Sequence, residues 1–544
     1  MAVPEQVQHV IVVMLENRSF DHLFGYLDDP GLDGIHPGHD VNLVDPANPA
    51  SQAVPASEHA QLHLRVDPDH EHGSVMEQLG LTGGGEPTNN GFVWNYERQA
   101  TGTSPGALKG AATRHRVGLA IGAVAVVLAL AGVALLALGL WWGAAGLVLA
   151  LVAGGFGARF ASDSPYFPGD GPRIMGCWDP ATLPALSALA SSFTLCQRWF
   201  SSVPGETWPN RQFAHAATSA GTVDITIRLY HDTTIFEQLE AGGRQWRIYY
   251  DGPAQVACYE ALWKDKDRLA YWFEIQHLFD HIAAGDLPAY SFVEPNHGYI
   301  GRSYSQHPGN NGKTNADFLR ADRFVAGVYE ALRANPALIE KTLLLVTWDE
   351  HGGTYDHVPP PATVAPDGRT DPTYHFGFTR LGVRVPAIVV SPWCPEGLSD
   401  VEYDHASIPA TLRQHFVPGA SPLTARDRDA ASFLPLLSRP QPRRGGELPD
   451  LSAHAWQPKA AWNPFDPLTG LLRRLARGEE PLNVSLGRLA AHLDRNLNRP
   501  RAETPFREQA PAEGDLPPLH PLHRQRSARA MRKLRAHAER SRRR

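Results

Sequence analysis

Short apolar segments that end in polar residues recur along the chain, and this pattern predicts the strands of a sheet. Four of them span residues 9–22, 287–298, 342–357 and 383–397, and each has strand-type composition bounded by Gly or Pro. Helical patterns lie between them, at about 182–196, 233–242, 315–334 and 405–415. Strands that alternate with helices indicate an α/β protein, so we expect a mostly parallel sheet sandwiched by helices.

Polar side chains at the ends of these segments are the first candidates for chemistry. The segment TLLLVTWDEHGGTYDH (342–357) reaches Asp349 and Glu350, and the first apolar segment leads into Glu16 and Asn17. Ligands of open α/β sheets bind beyond the carboxyl ends of the strands, where these residues are expected. Taken alone, the acidic stretch after 348 has an exposed acidic turn as its alternative interpretation.

Thr207 is a further candidate, within SSVPGETWPNR (201–211) and just before a helical pattern. A helix N-terminus favours an anion, although a threonine hydroxyl is a weak nucleophile unless a metal or a base activates it. Standing alone, this is an ordinary turn residue. Together with the polar strand ends it forms an oxygen-rich set that suits Mg, Ca or Mn, and nearby imidazoles could admit Zn or Fe. Converging carboxylates repel one another without a cation, so the set predicts a divalent metal ion.

Residues 117–158 contain no charged side chain. As one helix they would be ~60 Å long, about twice the ~30 Å hydrocarbon core of a bilayer, so two helices joined near 140–143 fit better. Basic residues flank both ends, which by the positive-inside rule places both ends in the cytoplasm. We therefore expect an inserted transmembrane helical hairpin that anchors a cytoplasmic catalytic domain. A re-entrant hairpin and a hairpin buried in a soluble core are the alternatives.

The charge distribution suggests a partner for the carboxyl-terminal tail. The net charge is −7, yet residues 519–544 hold ten Lys or Arg and one acid. Such a basic tail, strongest over 524–544, suggests binding to anionic lipid. Nucleic acid is a weaker option, and a solvated terminus is the plain alternative.

The first apolar segment leads directly into Glu16, so we interpret it as a core strand and not as a signal peptide. None of the four cysteines has C-x-x-C spacing, which argues against zinc-ribbon and redox-pair sites.

Longer motifs follow one another in order along the chain. They include ENRSFDHLFGYL (16–27), DPDH (67–70), SSVPGETWPNR (201–211), TLLLVTWDEHGGTYDHVPPP (342–361) and YDHASIPATL (403–412). This series resembles the bacterial phospholipase C and acid phosphatase phosphoesterase family, over about 9–100 and 170–430. The resemblance implies an alkaline-phosphatase-like α/β sandwich and the hydrolysis of phosphate esters.

The resemblance also assigns roles to residues at matching positions. Glu16, Asn17, Asp349 and Glu350 match the metal ligands of the family, and Thr207 stands where the family has a hydroxyl nucleophile that also touches the metal.

Two histidines complete the site that the resemblance implies. His70 and His307 match histidines expected to hold the phosphoryl oxygens or to protonate the leaving group. Two departures are visible: Gln306 precedes His307 where the family often has an acid that would orient the ring, and Glu206 adds a carboxylate beside the predicted nucleophile.

The predicted organisation is a catalytic domain over 1–435, interrupted at 117–158, and a Pro- and Arg-rich extension over 436–544. The predicted function is metal-dependent, phospholipase C-type cleavage of phospholipids through a phosphothreonine. The alternatives are a membrane-anchored acid phosphatase acting on soluble phosphomonoesters, and a non-catalytic membrane protein that binds anionic lipid.

Overall fold

The computed structural model describes residues 6–58, 60, 64–137, 150, 166–298, 303–311 and 316–458. The strands among them are β1 (His9–Leu15), β2 (Val41–Leu43), β3 (Ala53–Pro55), β4 (Thr194–Cys196), β5 (Trp246–Tyr250), β6 (Trp272–Glu274), β7 (Tyr290–Glu294), β8 (Thr342–Trp348), β9 (Ala387–Val390) and β10 (Gly397–Ser399).

The α-helices of the described residues are α1 (Phe20–Phe24), α2 (His72–Gln78), α3 (Phe92–Ala100), α4 (Pro105–Ala137), α5 (Pro184–Ser192), α6 (Thr207–Ala216), α7 (Ile235–Ala241), α8 (Lys266–Leu269), α9 (Gln276–Ala284), α10 (Ala316–Arg333), α11 (Pro336–Ile339), α12 (Ser407–Phe416) and α13 (Ala425–Asp429). Short 3₁₀ helices cover Gly171–Met175, Pro180–Thr182, Gln255–Cys258, Glu260–Leu262, Pro308–Asn311, Leu434–Leu436 and Gly445–Glu447.

Eight strands form the central sheet, in the order β10-β4-β9-β8-β1-β7-β5-β6. β8, β1, β7, β5 and β6 are parallel neighbours, which confirms the predicted mostly parallel sheet. β9 is antiparallel to both β8 and β4. The chain crosses the carboxyl end of β8 before it enters β9, so β9 starts at that end and runs back. The polar end of the 383–397 segment is therefore on the opposite edge from the ends of β1 and β8.

The core lies on both faces of this sheet. Every residue of β8 and all but the first residue of β1 are buried, as expected for parallel strands covered on both sides. α5 packs against α10, and α12 packs against α6 and α7. Four of these helices, α5, α10, α12 and α7, correspond to the predicted patterns at 182–196, 315–334, 405–415 and 233–242.

The predicted transmembrane hairpin at 117–158 is not supported. The first half of this run belongs to α4, which already begins at Pro105 in a segment docked onto the body: Lys109 Nζ lies 3.0 Å from a Glu71 carboxylate oxygen and 3.1 Å from an Asp224 one. No helix formed by the described residues is long and apolar enough to cross a membrane. Residues 138–149 and 151–158, which include the predicted second helix, lie outside the described residues.

Residues beyond the predicted boundary at 435 also contact the body. Leu448 and Leu451 are buried, and the Trp456 ring packs edge-on against Tyr304 with centroids 5.4 Å apart. The boundary itself stays a prediction, as does the cytoplasmic location. The basic tail at 524–544 lies outside the described residues.

Candidate active site

Neighbouring strands bring the predicted metal ligands together at one edge of the sheet. The last residues of β1 and β8 are paired in register, so Glu16–Asn17 and Asp349–Glu350 leave the sheet side by side. The backbone N–H of Asn17 donates to Asp349 Oδ1 at 3.0 Å, and the N–H of Glu350 donates to the same oxygen at 2.7 Å. All four side chains are buried.

A sharp backbone turn holds the two strand ends against each other. Asn17 adopts φ +59° and Gly352 adopts φ +62°, both in the left-handed region. A Cβ atom at Gly352 would overlap the carbonyl oxygen of Asn17. The close approach of these two turns therefore requires a glycine at 352.

Thr207 is the first residue of α6 and faces these strand ends. Its Oγ1 donates to Asn17 Oδ1 at 3.2 Å. The free N–H groups at the start of this helix create a positive field, which favours an anion next to the hydroxyl. The structure thus brings the predicted nucleophile and the predicted ligands into one cluster.

The two predicted histidines lie next to this cluster. His70 Nε2 is 3.4 Å from Asn17 Nδ2, and the His70 and His307 rings meet edge-on with centroids 5.5 Å apart. Burial opposes the charge of His70, but the carboxylates of Glu350 and Asp67 outweigh it and raise its pKa to about 10.

An acid from a distant segment faces His307. Asp67 Oδ1 lies 3.7 Å from His307 Nδ1, which also accepts the Gly309 N–H at 3.1 Å. Asp67 belongs to the DPDH motif and not to the segment around Gln306, where the family pattern often has an acid.

Three further residues of the site were not predicted. His297 Nδ1 is 2.6 Å from Glu16 Oε1, and its Nε2 is 3.0 Å from Glu294 Oε1. Arg211 donates from Nε to Asp349 Oδ2 at 2.8 Å and lies 3.5 Å from Glu294. Glu294 and His297 stand at the end of the 287–298 segment, so the same polar-end pattern that singled out Glu16 could have identified them.

These contacts set the charges of the cluster. Burial opposes ionisation of Glu16, but His297 outweighs it and lowers the pKa of this carboxyl. In return, burial of His297 is outweighed by Glu16 and Glu294, which raise its pKa to about 9. Burial raises the pKa of Asp349, although the Arg211 guanidinium acts in the opposite direction. Burial and the nearby Asp349 carboxylate together raise the pKa of Glu350 well above its usual range.

The donor set fits a divalent cation. Glu16 Oε2 and Glu350 Oε1 are buried, and neither accepts a hydrogen bond from the described residues. Orphaned buried carboxylate oxygens are costly unless a cation binds them. Glu16, Asn17, Asp349 and Glu350, with the Thr207 hydroxyl beside them, could hold such an ion through oxygen atoms.

A second acidic cluster has a different character. Ligand atoms of Asp21, Asp356 and His357 all lie within 4.8 Å of one another, which is close enough to hold a metal. Arg384, however, already donates to Asp21 Oδ1 and to Asp356 Oδ1, each at 2.9 Å. Since the guanidinium supplies positive charge there, this cluster is an ion-pair network in the structure.

The chain is similar to known proteins over most of its length. The pattern of the phosphoesterase family matches residues 7–120 and 152–417. The non-specific phospholipase C3 of Arabidopsis thaliana is 31% identical over 464 residues, covering 80% of this chain and 74% of that protein. Phospholipase C B of Mycobacterium tuberculosis is 28% identical over 471 residues, covering 77% and 75%.

Among solved structures, a protein in the alkaline phosphatase superfamily from Vibrio parahaemolyticus has a TM-score of 0.28 and 13% identity, covering 53% of this chain and 66% of that one. So low a score does not identify the fold, and the alkaline-phosphatase-like part of the prediction stays a prediction. The family match spans most of the chain and includes every residue of the cluster around Thr207. The chain therefore belongs to the phosphoesterase family and is a hydrolase acting on phosphoric ester bonds.

Proposed function

We propose that this hydrolase is a metal-dependent phospholipase C, which cleaves phospholipids through a phosphothreonine at Thr207. The relatives of this chain that are named phospholipases C, from a plant and from a bacterium, support the reaction class. Phosphodiesters of lipids are the preferred substrates, and soluble phosphomonoesters are the alternative.

One observation carries the proposed mechanism: the Thr207 hydroxyl contacts Asn17 among three buried carboxylates and at a helix N-terminus. A hydroxyl with only carboxylates around it would be a poor nucleophile. A divalent cation bound by Glu16, Asn17, Asp349 and Glu350 would neutralise these charges and favour the alkoxide of Thr207.

The chain's own residues then perform two transfers. Thr207 Oγ1 attacks phosphorus, the bond to the leaving alcohol breaks, and His307 gives that oxygen its proton. Water then gives a proton back to His307 and attacks the same phosphorus. The bond to Thr207 Oγ1 breaks, which releases the phosphorylated headgroup and restores both residues. His70 and the N–H groups at the start of α6 stabilise the negative phosphoryl oxygens in both steps.

Replacing the nucleophile tests this proposal. We expect Thr207→Ala to lower phospholipid hydrolysis by about 10³-fold or more, because it removes the hydroxyl proposed to accept the phosphoryl group. The measurement is release of diacylglycerol and of the phosphorylated headgroup from phosphatidylcholine, together with bound metal by elemental analysis. Retention of the metal would separate loss of the nucleophile from loss of the site.

The matched control is Thr207→Ser, which keeps the hydroxyl and should retain part of the activity. Acid-quenched protein with the phosphoryl group trapped on residue 207 would support the covalent step directly. Activity of Thr207→Ala above a few percent would contradict the nucleophile role. Hydrolysis of phosphomonoesters without release of diacylglycerol would instead favour a phosphatase.

A further inference from the structure

A cavity of about 400 Å³ opens next to the proposed nucleophile. Its inner end is formed by Glu16, Thr207 and His297, so it begins where the phosphoryl group would lie. Further out, its wall comes from the segment 253–258, which includes Pro253, Ala254 and Ala257. Glu16, Thr207 and His297 thus occupy the inner end, and the wall from 253–258 is mostly apolar, with Gln255 as its polar member.

The outer lip of this cavity is apolar and exposed. Ile227 exposes 87% of its surface and Leu229 exposes 45%, and both line the cavity. Arg228 stands between them, with its guanidinium 4.7 Å from the centre of the Tyr230 ring and one N–H donated to Ala220 O at 2.9 Å. Single exposed apolar residues need no explanation, but two that flank the mouth of an active-site cavity do.

We infer that this cavity receives the diacylglycerol part of a phospholipid and that Ile227 and Leu229 contact the lipid surface at its mouth. This inference rests on the proposed phospholipase C function and names the part of the substrate that the cavity binds. Ligand sites combine a mostly apolar wall with a few polar groups at the reacting end, which is the arrangement here.

Charge argues against the headgroup as the occupant. A choline or ethanolamine headgroup is cationic, and on its way out it would pass Arg228, a like charge. The acidic lining residue, Glu16, lies at the inner end and is paired with His297. Acyl chains and glycerol carry no charge, and an arginine between two apolar residues suits a surface of lipid phosphates.

A series of soluble substrates tests the inner part of the cavity. For monomeric phosphatidylcholines with acyl chains of increasing length, we expect kcat/KM of the wild-type enzyme to rise with each added methylene. Ala254→Phe, which fills the cavity wall, should abolish this rise. Ala50→Phe, at an exposed position outside the cavity, is the matched control and should leave the rise intact.

Hydrolysis of lipid vesicles tests the role of Ile227 and Leu229 at the mouth of the cavity. We expect Ile227→Asp and Leu229→Asp to lower the ratio of phosphatidylcholine vesicle hydrolysis to p-nitrophenyl phosphorylcholine hydrolysis by about tenfold, and to weaken co-sedimentation with the vesicles. Val401→Asp, which alters an apolar residue that is 47% exposed and does not line the cavity, should leave both unchanged.

The outcomes separate the two proposals. A wild-type enzyme that hydrolyses no phosphatidylcholine of any kind would contradict the proposed function, and this inference with it. A kcat/KM that does not depend on acyl length would overturn the inference alone. So would an Ala254→Phe variant whose kcat/KM is altered for some headgroups but keeps its dependence on acyl length. An unchanged vesicle ratio in both aspartate variants would overturn the role of the mouth.

Discussion

Asp67 supplies a charge that the local sequence around His307 lacks. Gln306, at the position where the family often has an acid, is committed elsewhere: its Oε1 accepts the Trp348 Nε1–H at 2.9 Å and its Nε2 donates to Phe318 O at 3.2 Å. The carboxylate of Asp67 instead faces His307 Nδ1. A carboxylate at this distance can orient the ring, as a general acid requires.

Asp67→Asn should therefore slow the departure of poor leaving groups. We expect kcat to fall by about tenfold for esters of aliphatic alcohols, which need a proton, and much less for esters of p-nitrophenol, which leave as anions. Steady-state rates on both ester types provide the measurement.

Asp280→Asn is the matched control. It also removes a carboxylate close to a histidine, since Asp280 Oδ2 lies 3.5 Å from His277 Nδ1, but this carboxylate is exposed and outside the site. It should leave both rates unchanged. Equal losses of Asp67→Asn on the two ester types would contradict a role through the leaving group and would point to a structural effect.

At the scale of elements, the sequence predicted β1, β7, β8 and β9 and helices between them, but not the five-residue strand β5. β1, β7 and β8 have apolar runs with strand composition, and periodicity marks the helices well. β4, β6 and β10 have only three residues each, too few for any alternation to be visible. The antiparallel direction of β9 is also not a property of its own residues, since it follows from the path of the chain after β8.

The candidate site divides in the same way. The strand ends gave Glu16, Asn17, Asp349 and Glu350, because β1 and β8 are neighbours. Arg211 and Asp67 could not be identified from the sequence. Their partners come from segments far away in the chain, and only the tertiary fold brings them together.

The turn after β8 provides a prediction about an element. We expect Gly352→Ala to lower the free energy of unfolding by ~1–3 kcal/mol, because alanine is strained at φ +62° and its Cβ would collide with Asn17. Activity should fall further than stability, because the collision displaces a predicted metal ligand. Urea unfolding and phospholipid hydrolysis on the same preparation measure the two effects.

Gly368→Ala provides the comparison, since a Cβ there meets nothing within 4 Å. It should be close to neutral in both measurements. A stable and fully active Gly352→Ala would show that the two turns are free to separate.

At the scale of the whole molecule, a buried carboxyl links two helices. Asp322 in α10 accepts the backbone N–H groups of Ala185 and Leu186, at 3.3 and 2.8 Å, from the start of α5. Burial raises its pKa to about 7 from 3.8, although these two N–H groups act in the opposite direction. The folded protein thus holds a proton that the unfolded chain releases at lower pH.

Stability should therefore decrease as the pH rises from about 4 to about 7, because the folded state pays to ionise a buried acid. Asp322→Asn, which mimics the protonated form, should remove this loss. At ~1.4 kcal/mol per pKa unit, we expect the variant to gain up to about 4 kcal/mol over wild type at pH 8 and much less at pH 4.5. Urea unfolding at both pH values measures the difference.

Asp280→Asn, at a carboxyl that is 73% exposed, should show no such dependence on pH. The same gain for Asp322→Asn at both pH values would mean that the effect does not come from ionisation.

The ion-pair network around Arg384 has a consequence for the order in which the protein can be made. Asp21 leaves the ribosome early, but its guanidinium partner is 363 positions later in the chain. β1 likewise has no neighbours until β7 and β8 have been synthesised, although it occupies the middle of the sheet. At ~5–20 residues per second, the first strand must wait for roughly 15–70 s. During that interval β1 lacks both of its partners in the sheet, and the candidate site can assemble only after Glu350 has been synthesised.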